Sequence, residues 1–126
     1  MAEFTSLRPG TLLAPVPAVM VSCARAGERP NIITVAWAGT VCSEPPMCSI
    51  SVRKERFSHA VIRDSGEFII NLVGQAQARA ADFCGVKSGR DVDKFSACGL
   101  TPQPVSGFQA PAIAECPPYL GCRVVS

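Results

Sequence analysis

The sequence predicts a mainly β fold with short helices, a small antiparallel barrel decorated by helical inserts. Three observations carry this. Several segments read as strands, either apolar throughout or strictly alternating, with no helical period. The helical segments between them are short and do not follow the βαβ order of a doubly wound parallel sheet. No G-x-G-x-x-G and no G-x-x-x-x-G-K-[ST] is present, so neither a Rossmann nor a P-loop site is supported.

In chain order, residues 16–25 (VPAVMVSCAR) read as the first strand, and 26–31 (AGERPN), with Gly27, Pro30 and Asn31, as a hairpin-like connection. Residues 32–38 (IITVAWA) are apolar on both sides, which predicts a central strand. SEPP at 43–46 breaks the chain. Residues 47–53 alternate: Cys48, Ile50 and Val52 on one face, Ser49, Ser51 and Arg53 on the other. A short helix over 58–65 has Ser58 as its N-cap, Phe57 stapled onto Ile62, and Gly66 just past its end. Residues 67–73 (EFIINLV) form another strand. Residues 75–84 form a helix by alanine content, stopped by Gly85. Asp91 is expected to cap one or two turns that end at Gly99. Five prolines make 101–118 an extended surface loop, and 119–126 read as an unpaired strand just begun.

At 126 residues the chain is one domain, 1–126, with room for one core. Hydrophobic residues are 48% and charged ones 17%, which excludes disorder and implies surface covered by a partner subunit or a cofactor. A net charge of +2 is too mild for a nucleic-acid arm or a polybasic membrane anchor. The uncharged run from Pro9 to Ala24 is too short for a membrane span and is interrupted by prolines. The first ten residues carry an acid and no apolar leader core, so a cytoplasmic location is expected. Seven cysteines without a Cys-x-x-Cys read as buried free thiols of a reducing compartment with no metal site, the alternative being a redox or metal role.

The segment VRKERFSH (52–59) places Arg53, Lys54 and Arg56 before a helix start at Ser58. Free backbone N–H groups, cations and a hydroxyl suit a phosphate; the same residues also read as solvated charges before an ordinary helix. Ser49 and Ser51 lead to Arg53 along one face, which suits a polar ligand chain ending in a phosphate, or simply the solvent face of an edge strand. Trp37 is either a core or interface anchor or a wall beside a planar ring. His59, the one histidine, builds no hydrolase triad and no His-rich metal site. The run GRDVDKF (89–95) reads as solvated charge, from which Lys94 could reach a ligand.

Taken together, PVPAVMVSCARAGERPNIITVAWAGTVCSEPPMCSISV, RFSHAVIRDSGEFIINL, DFCGVKSGRDVDKFSACGLTP and APAIAECPPYLGCRVV make the chain resemble the flavin reductase-like, FMN-binding split-barrel family, in its flavoredoxin-like branch. The resemblance implies an antiparallel split β-barrel that dimerises and binds FMN near the subunit interface. It implies that Asn31, Thr34, Val35, Ala36 and Trp37 line the flavin, that Ser49, Ile50 and Ser51 lie under the ribityl chain, and that Arg53, Arg56, Ser58 and His59 meet the phosphate. Phe83 and Lys94 match a more variable segment near the ring. Family members continue past Ser126, so the barrel is expected to be truncated at its C-terminus. The implied activity is transfer of electrons from NAD(P)H through FMN to an acceptor, with no catalytic side chain. The alternatives are an electron carrier reduced by a redox partner protein, or a truncated flavin-binding module without catalysis.

Overall fold

The computed structural model describes residues 2–126. Its eight strands are β1 (Val19–Cys23), β2 (Asn31–Val35), β3 (Ala38–Ser43), β4 (Pro46–Ile50), β5 (Glu67–Leu72), β6 (Pro102–Gln103), β7 (Ala112–Ile113) and β8 (Tyr119–Arg123). The helices are α1 (Phe57–Ser65), α2 (Ala78–Val86) and α3 (Lys94–Cys98), with a 3-10 turn over Gln75–Gln77 leading into α2. All pairings are antiparallel. A four-stranded sheet runs β2-β1-β5-β8, and β3-β4 and β6-β7 form separate two-stranded hairpins.

Period-2 alternation sorts the sheet's side chains between two cores. Val19 and Val21 of β1, Ile33 and Val35 of β2, and Phe68 and Ile70 of β5 share one face. Ala38, Cys48, Ile50 and Val52 of the β3–β4 hairpin and its tail cover that face, with Ile62 of α1. On the opposite face Met20 and Ile32 pack under Ala81 and Cys84 of α2 and Phe95 of α3. Val61 of α1 is also buried, and Gly66 ends that helix in the left-handed region at φ 71° as expected.

Several expectations are corrected. β2 is an edge strand, not a central one. It is apolar on both sides because helices cover one face and the hairpin covers the other. The apolar run 32–38 is broken at Ala36–Trp37, and a further strand, β3, begins at Ala38. The SEPP segment is therefore the turn of a β3–β4 hairpin. Arg56, not Ser58, is the N-cap of α1, so Phe57 is its first residue and does not act as a staple from outside the helix. α2 runs through Gly85 to Val86. Asp93, not Asp91, caps α3, accepting from the Ser96 N–H.

The proline-rich stretch is not simply a surface loop: Ala110, Ala112, Ile113 and Cys116 are buried. A polar network holds it. The Asn71 amide, fully buried in β5, donates to Met20 O at 2.9 Å and Ser22 Oγ at 3.1 Å, and its Oδ1 accepts the Ile113 N–H at 2.9 Å. Ser22 Oγ in turn donates to Pro111 O. The last strand is paired: β8 lies against β5 in register Phe68↔Cys122.

Candidate functional site

The start of α1, the end of α2 and the loop before α3 enclose a cavity of about 190 Å³. Four cations line it (Arg56, Lys87, Arg90 and Lys94) against one carboxylate, Glu55. The N-cap of α1 makes no side-chain hydrogen bond to the first-turn N–H groups; the His59 N–H bonds to Arg56 O at 3.1 Å, and the Phe57 and Ser58 N–H groups at the positive end of the helix are left to meet an anion. Ser58 opens onto the cavity from within the helix's first turn, and its hydroxyl accepts from Asn31 Nδ2 at 2.8 Å.

Glycine is required at position 89. A Cβ there would stand 2.4 Å from Asn31 Oδ1 and 2.6 Å from Phe57 Cδ1. The Ser88–Gly89–Arg90 backbone thus lies directly on the Asn31–Ser58 pair. Arg90 crosses the Phe57 ring, its guanidinium 5.6 Å from the ring centre, and donates to Glu55 O at 3.4 Å. Arg56 is held by a bond from Nη2 to Gly85 O at 2.8 Å.

Lys94 is a buried cation, 2% exposed, with no carboxylate partner among the described residues. Its Nζ donates to Ile32 O at 2.7 Å and Cys84 O at 2.8 Å. One of its three donors remains. Burial, with a smaller contribution from Arg56, lowers its pKa from the ordinary lysine value. An anion in the cavity would relieve both effects. Cys23 lies in the same neighbourhood, its thiol pushed up to about 11 by burial.

A second surface is the outer face of the β3–β4 hairpin. Ser51 N–H bonds to Trp37 O at 2.9 Å, and Gly39 pairs with Ser49. Trp37, Gly39, Ser49 and Ser51 therefore share one exposed face, with Trp37 51% exposed. Trp37 is not a core anchor. The inner face carries Ile50, which packs into the hydrophobic core.

Of the residues predicted from sequence, the structure gathers Asn31, Arg56, Ser58 and Lys94 around the cavity, and Trp37, Ser49 and Ser51 on the hairpin. Lys94 stands in a helix, not a loop. Arg53 lies outside the cavity, exposed, with Nε 3.6 Å from Glu55. His59 is half-buried beside a different, open groove. Thr34 donates to Ala81 O and ties β2 to α2, and Val35 is buried in the core. Ala36 forms the bend before Trp37. Phe83 is half-buried on α2 and does not line the cavity. Phe57, Lys87, Ser88 and Gly89 were missed as cavity residues. For Lys87, Ser88 and Gly89 the one sequence signal is the Lys-Ser-Gly-Arg run, which reads as solvated charge because nothing local shows what packs on its glycine, whereas Phe57 lies within VRKERFSH and reads there as a staple.

Among proteins of known sequence, the model described as flavin reductase like domain matches residues 12–126. The chain belongs to the flavin reductase like domain family. Flavoredoxin of Desulfovibrio vulgaris (Miyazaki F) has the same fold, with a TM-score of 0.92 and 36% identity over 98% of this chain and 68% of that one. An FMN-binding domain of a flavin reductases-like enzyme from Shewanella baltica matches with a TM-score of 0.80 and 28% identity, covering 87% of this chain and 58% of that one. The reductase component of 4-nitrophenol 4-monooxygenase/4-nitrocatechol 2-monooxygenase from Rhodococcus opacus is 30% identical over 92 residues, 73% of this chain and 46% of that protein. The chain spans about half the length of the curated relatives it matches. The predicted split-barrel fold of short-helix, mainly β type is the fold of this flavin reductase like domain. Among the described residues no helix is long and apolar enough to cross a membrane.

Proposed function

We propose that the chain binds FMN with the phosphate in the basic cavity, and that it passes electrons from NAD(P)H through the flavin to an acceptor. The observation that carries this reading is the cavity itself: four cations, one carboxylate and an uncapped helix N-terminus around a space of about 190 Å³. Whole ligands of this size occupy roughly 300–1,000 Å³, so the cavity suits the phosphate end alone. We assign the hairpin face with Trp37, Ser49 and Ser51 to the remainder of the ligand.

Bound FMN supplies hydride acceptance and one- or two-electron transfer. The chain binds and orients. Lys94 brings a buried positive charge with one donor to spare, and Arg56 brings a guanidinium anchored to α2. The Ser58 hydroxyl and the Phe57 and Ser58 N–H groups complete an anion cradle that Asn31 holds in place. Arg53, outside the cavity, adds charge at longer range. No side chain is assigned a catalytic role.

A second reading, an electron carrier reduced by a redox partner protein, is favoured by the likeness to flavoredoxin at a TM-score of 0.92. The test is anaerobic. Protein loaded with FMN is mixed with NADH or NADPH and its flavin absorbance followed. Bleaching by the nucleotide alone supports the reductase; bleaching only by a reduced partner protein supports the carrier. Protein that retains no FMN refutes both. A cytoplasmic homodimer also belongs to this proposal. The exposed Trp37 and Val41 of the hairpin support a covered surface. Sedimentation velocity across a dilution series, with and without FMN, should show dimer favoured by the ligand, and a monomer that binds FMN tightly would remove the dimer from the account.

A further inference from the structure

Two cysteines that play no part in the proposed function face each other between the two main sheets. Cys48 of β4 and Cys122 of β8 have their Sγ atoms 3.7 Å apart, although 74 positions separate them in sequence. Among the described residues no ladder joins β4 to β8. Both side chains are half-buried and line an open groove of about 760 Å³, so small solutes reach them. β8 is the edge of its sheet and β4 pairs only with β3. Closing the sulfurs to the roughly 2.05 Å of a disulfide therefore moves an edge and a hairpin, not a core strand.

We propose that Cys48 and Cys122 form a reversible dithiol–disulfide site, oxidised by hydrogen peroxide, whose closure links the hairpin covalently to the four-stranded sheet. In the first step the Cys48 thiolate attacks peroxide: an S–O bond forms, the O–O bond breaks, hydroxide leaves and takes up the thiol proton as water, and Cys48 becomes the sulfenic acid. In the second step the Cys122 sulfur attacks that sulfenic sulfur, the S–O bond breaks, a second water leaves and the S–S bond forms. Two thiols are oxidised by two electrons and one peroxide is reduced to two waters. Burial and the neighbouring Cys48 push the Cys122 thiol up to about 12, which leaves the first attack to Cys48; the 3.7 Å separation places the Cys122 sulfur for the second. A small dithiol reductant reverses the reaction by exchange. The chain's other close pair, Cys84 and Cys98 at 3.9 Å, differs in access. Cys84 is fully buried behind Lys94, and this pair should stay reduced in the folded protein.

The test uses the whole chain, folded, treated with equimolar hydrogen peroxide, alkylated, and digested without reduction. The expected result is loss of two of the seven thiols, a mass lower by two hydrogens, and one intrachain link that fragment sequencing places between Cys48 and Cys122. Dithiothreitol should restore all seven. Cys122→Ser should yield no intrachain link and instead leave Cys48 as the sulfenic acid, one oxygen heavier, which dimedone traps. Thiols that stay at seven, a link between other cysteines or between chains, or wild-type Cys48 that goes to the sulfinic acid would each overturn the proposal.

Discussion

Replacing Gly89 with alanine tests the close packing on which the cavity depends. The new Cβ would meet Asn31 Oδ1 at 2.4 Å and the Phe57 ring at 2.6 Å, about 1 Å inside ordinary contact. Neither neighbour yields easily: Asn31 is 4% exposed and bonded to Ser58, and Phe57 begins α1 beneath Arg90. Overpacking of this kind costs about 1–3 kcal/mol. Loss of the Asn31–Ser58 bond adds about 0.5–1.5 kcal/mol. The expected destabilisation is about 2–4 kcal/mol, a fall in Tm of roughly 6–20 °C for a domain of this size. Thermal denaturation followed by circular dichroism reads it. Gly39→Ala, where a Cβ meets nothing within 4 Å, is the control and should melt near the wild type. A Gly89→Ala protein that melts within about 2 °C of wild type would mean that the loop does not lie on the Asn31–Ser58 pair.

The buried polar network makes Asn71→Leu costly, because the Ile113 N–H and Pro111 region lose their anchor; a loss of about 2–4 kcal/mol in urea unfolding is expected, and an unchanged midpoint would show that Asn71 does not hold the 110–113 segment. Stability should also fall above about pH 9. Burial raises Cys23 to about 11 from an ordinary 9.0, so the folded state keeps a proton that the unfolded state releases, and stability present below pH 9 is lost as pH rises toward 11. Lys94, lowered by burial, works in the opposite sense, since raising the pH relieves the cost of its buried charge. Cys84 and Cys122, each raised to about 12, add to the thiol side. Urea unfolding between pH 8 and about 10.5 should therefore show a decline that Cys23→Ala makes shallower, whatever its effect at pH 8; a flat profile would contradict the burial of these thiols.

What was readable in the sequence was local. The alternation of Cys48, Ile50 and Val52 against Ser49, Ser51 and Arg53 needs only period 2, and the structure keeps it, with the serines out and the apolar residues in. The left-handed Gly66 and Gly99 also end their helices as expected. The failures came where partners distant in sequence decide. β3 is mostly exposed, so its burial pattern carries no period. β2 has two apolar faces because two different layers sandwich an edge strand, a pattern that a central strand shares. Gly85 reads as a stop signal, yet it lies inside α2, which runs one residue further to Val86. The cavity's second wall, Lys87 to Arg90, became legible only once the loop was seen folded onto Asn31.

Arg53 and Arg56 were both expected at a phosphate, and the structure separates them: Arg56 lines the cavity and Arg53 does not. Titrating FMN and riboflavin, followed by flavin fluorescence, into the wild type, Arg56→Ala and Arg53→Ala tests this division directly. Arg56→Ala should weaken FMN by about tenfold to a hundredfold, the worth of one charge-assisted contact. Riboflavin, which lacks the phosphate, should bind all three proteins alike, and Arg53→Ala should change FMN affinity by less than about threefold, as suits an exposed charge. Equal losses of FMN and riboflavin in Arg56→Ala, or a loss of FMN confined to Arg53→Ala, would contradict the assignment of the basic cavity to the phosphate.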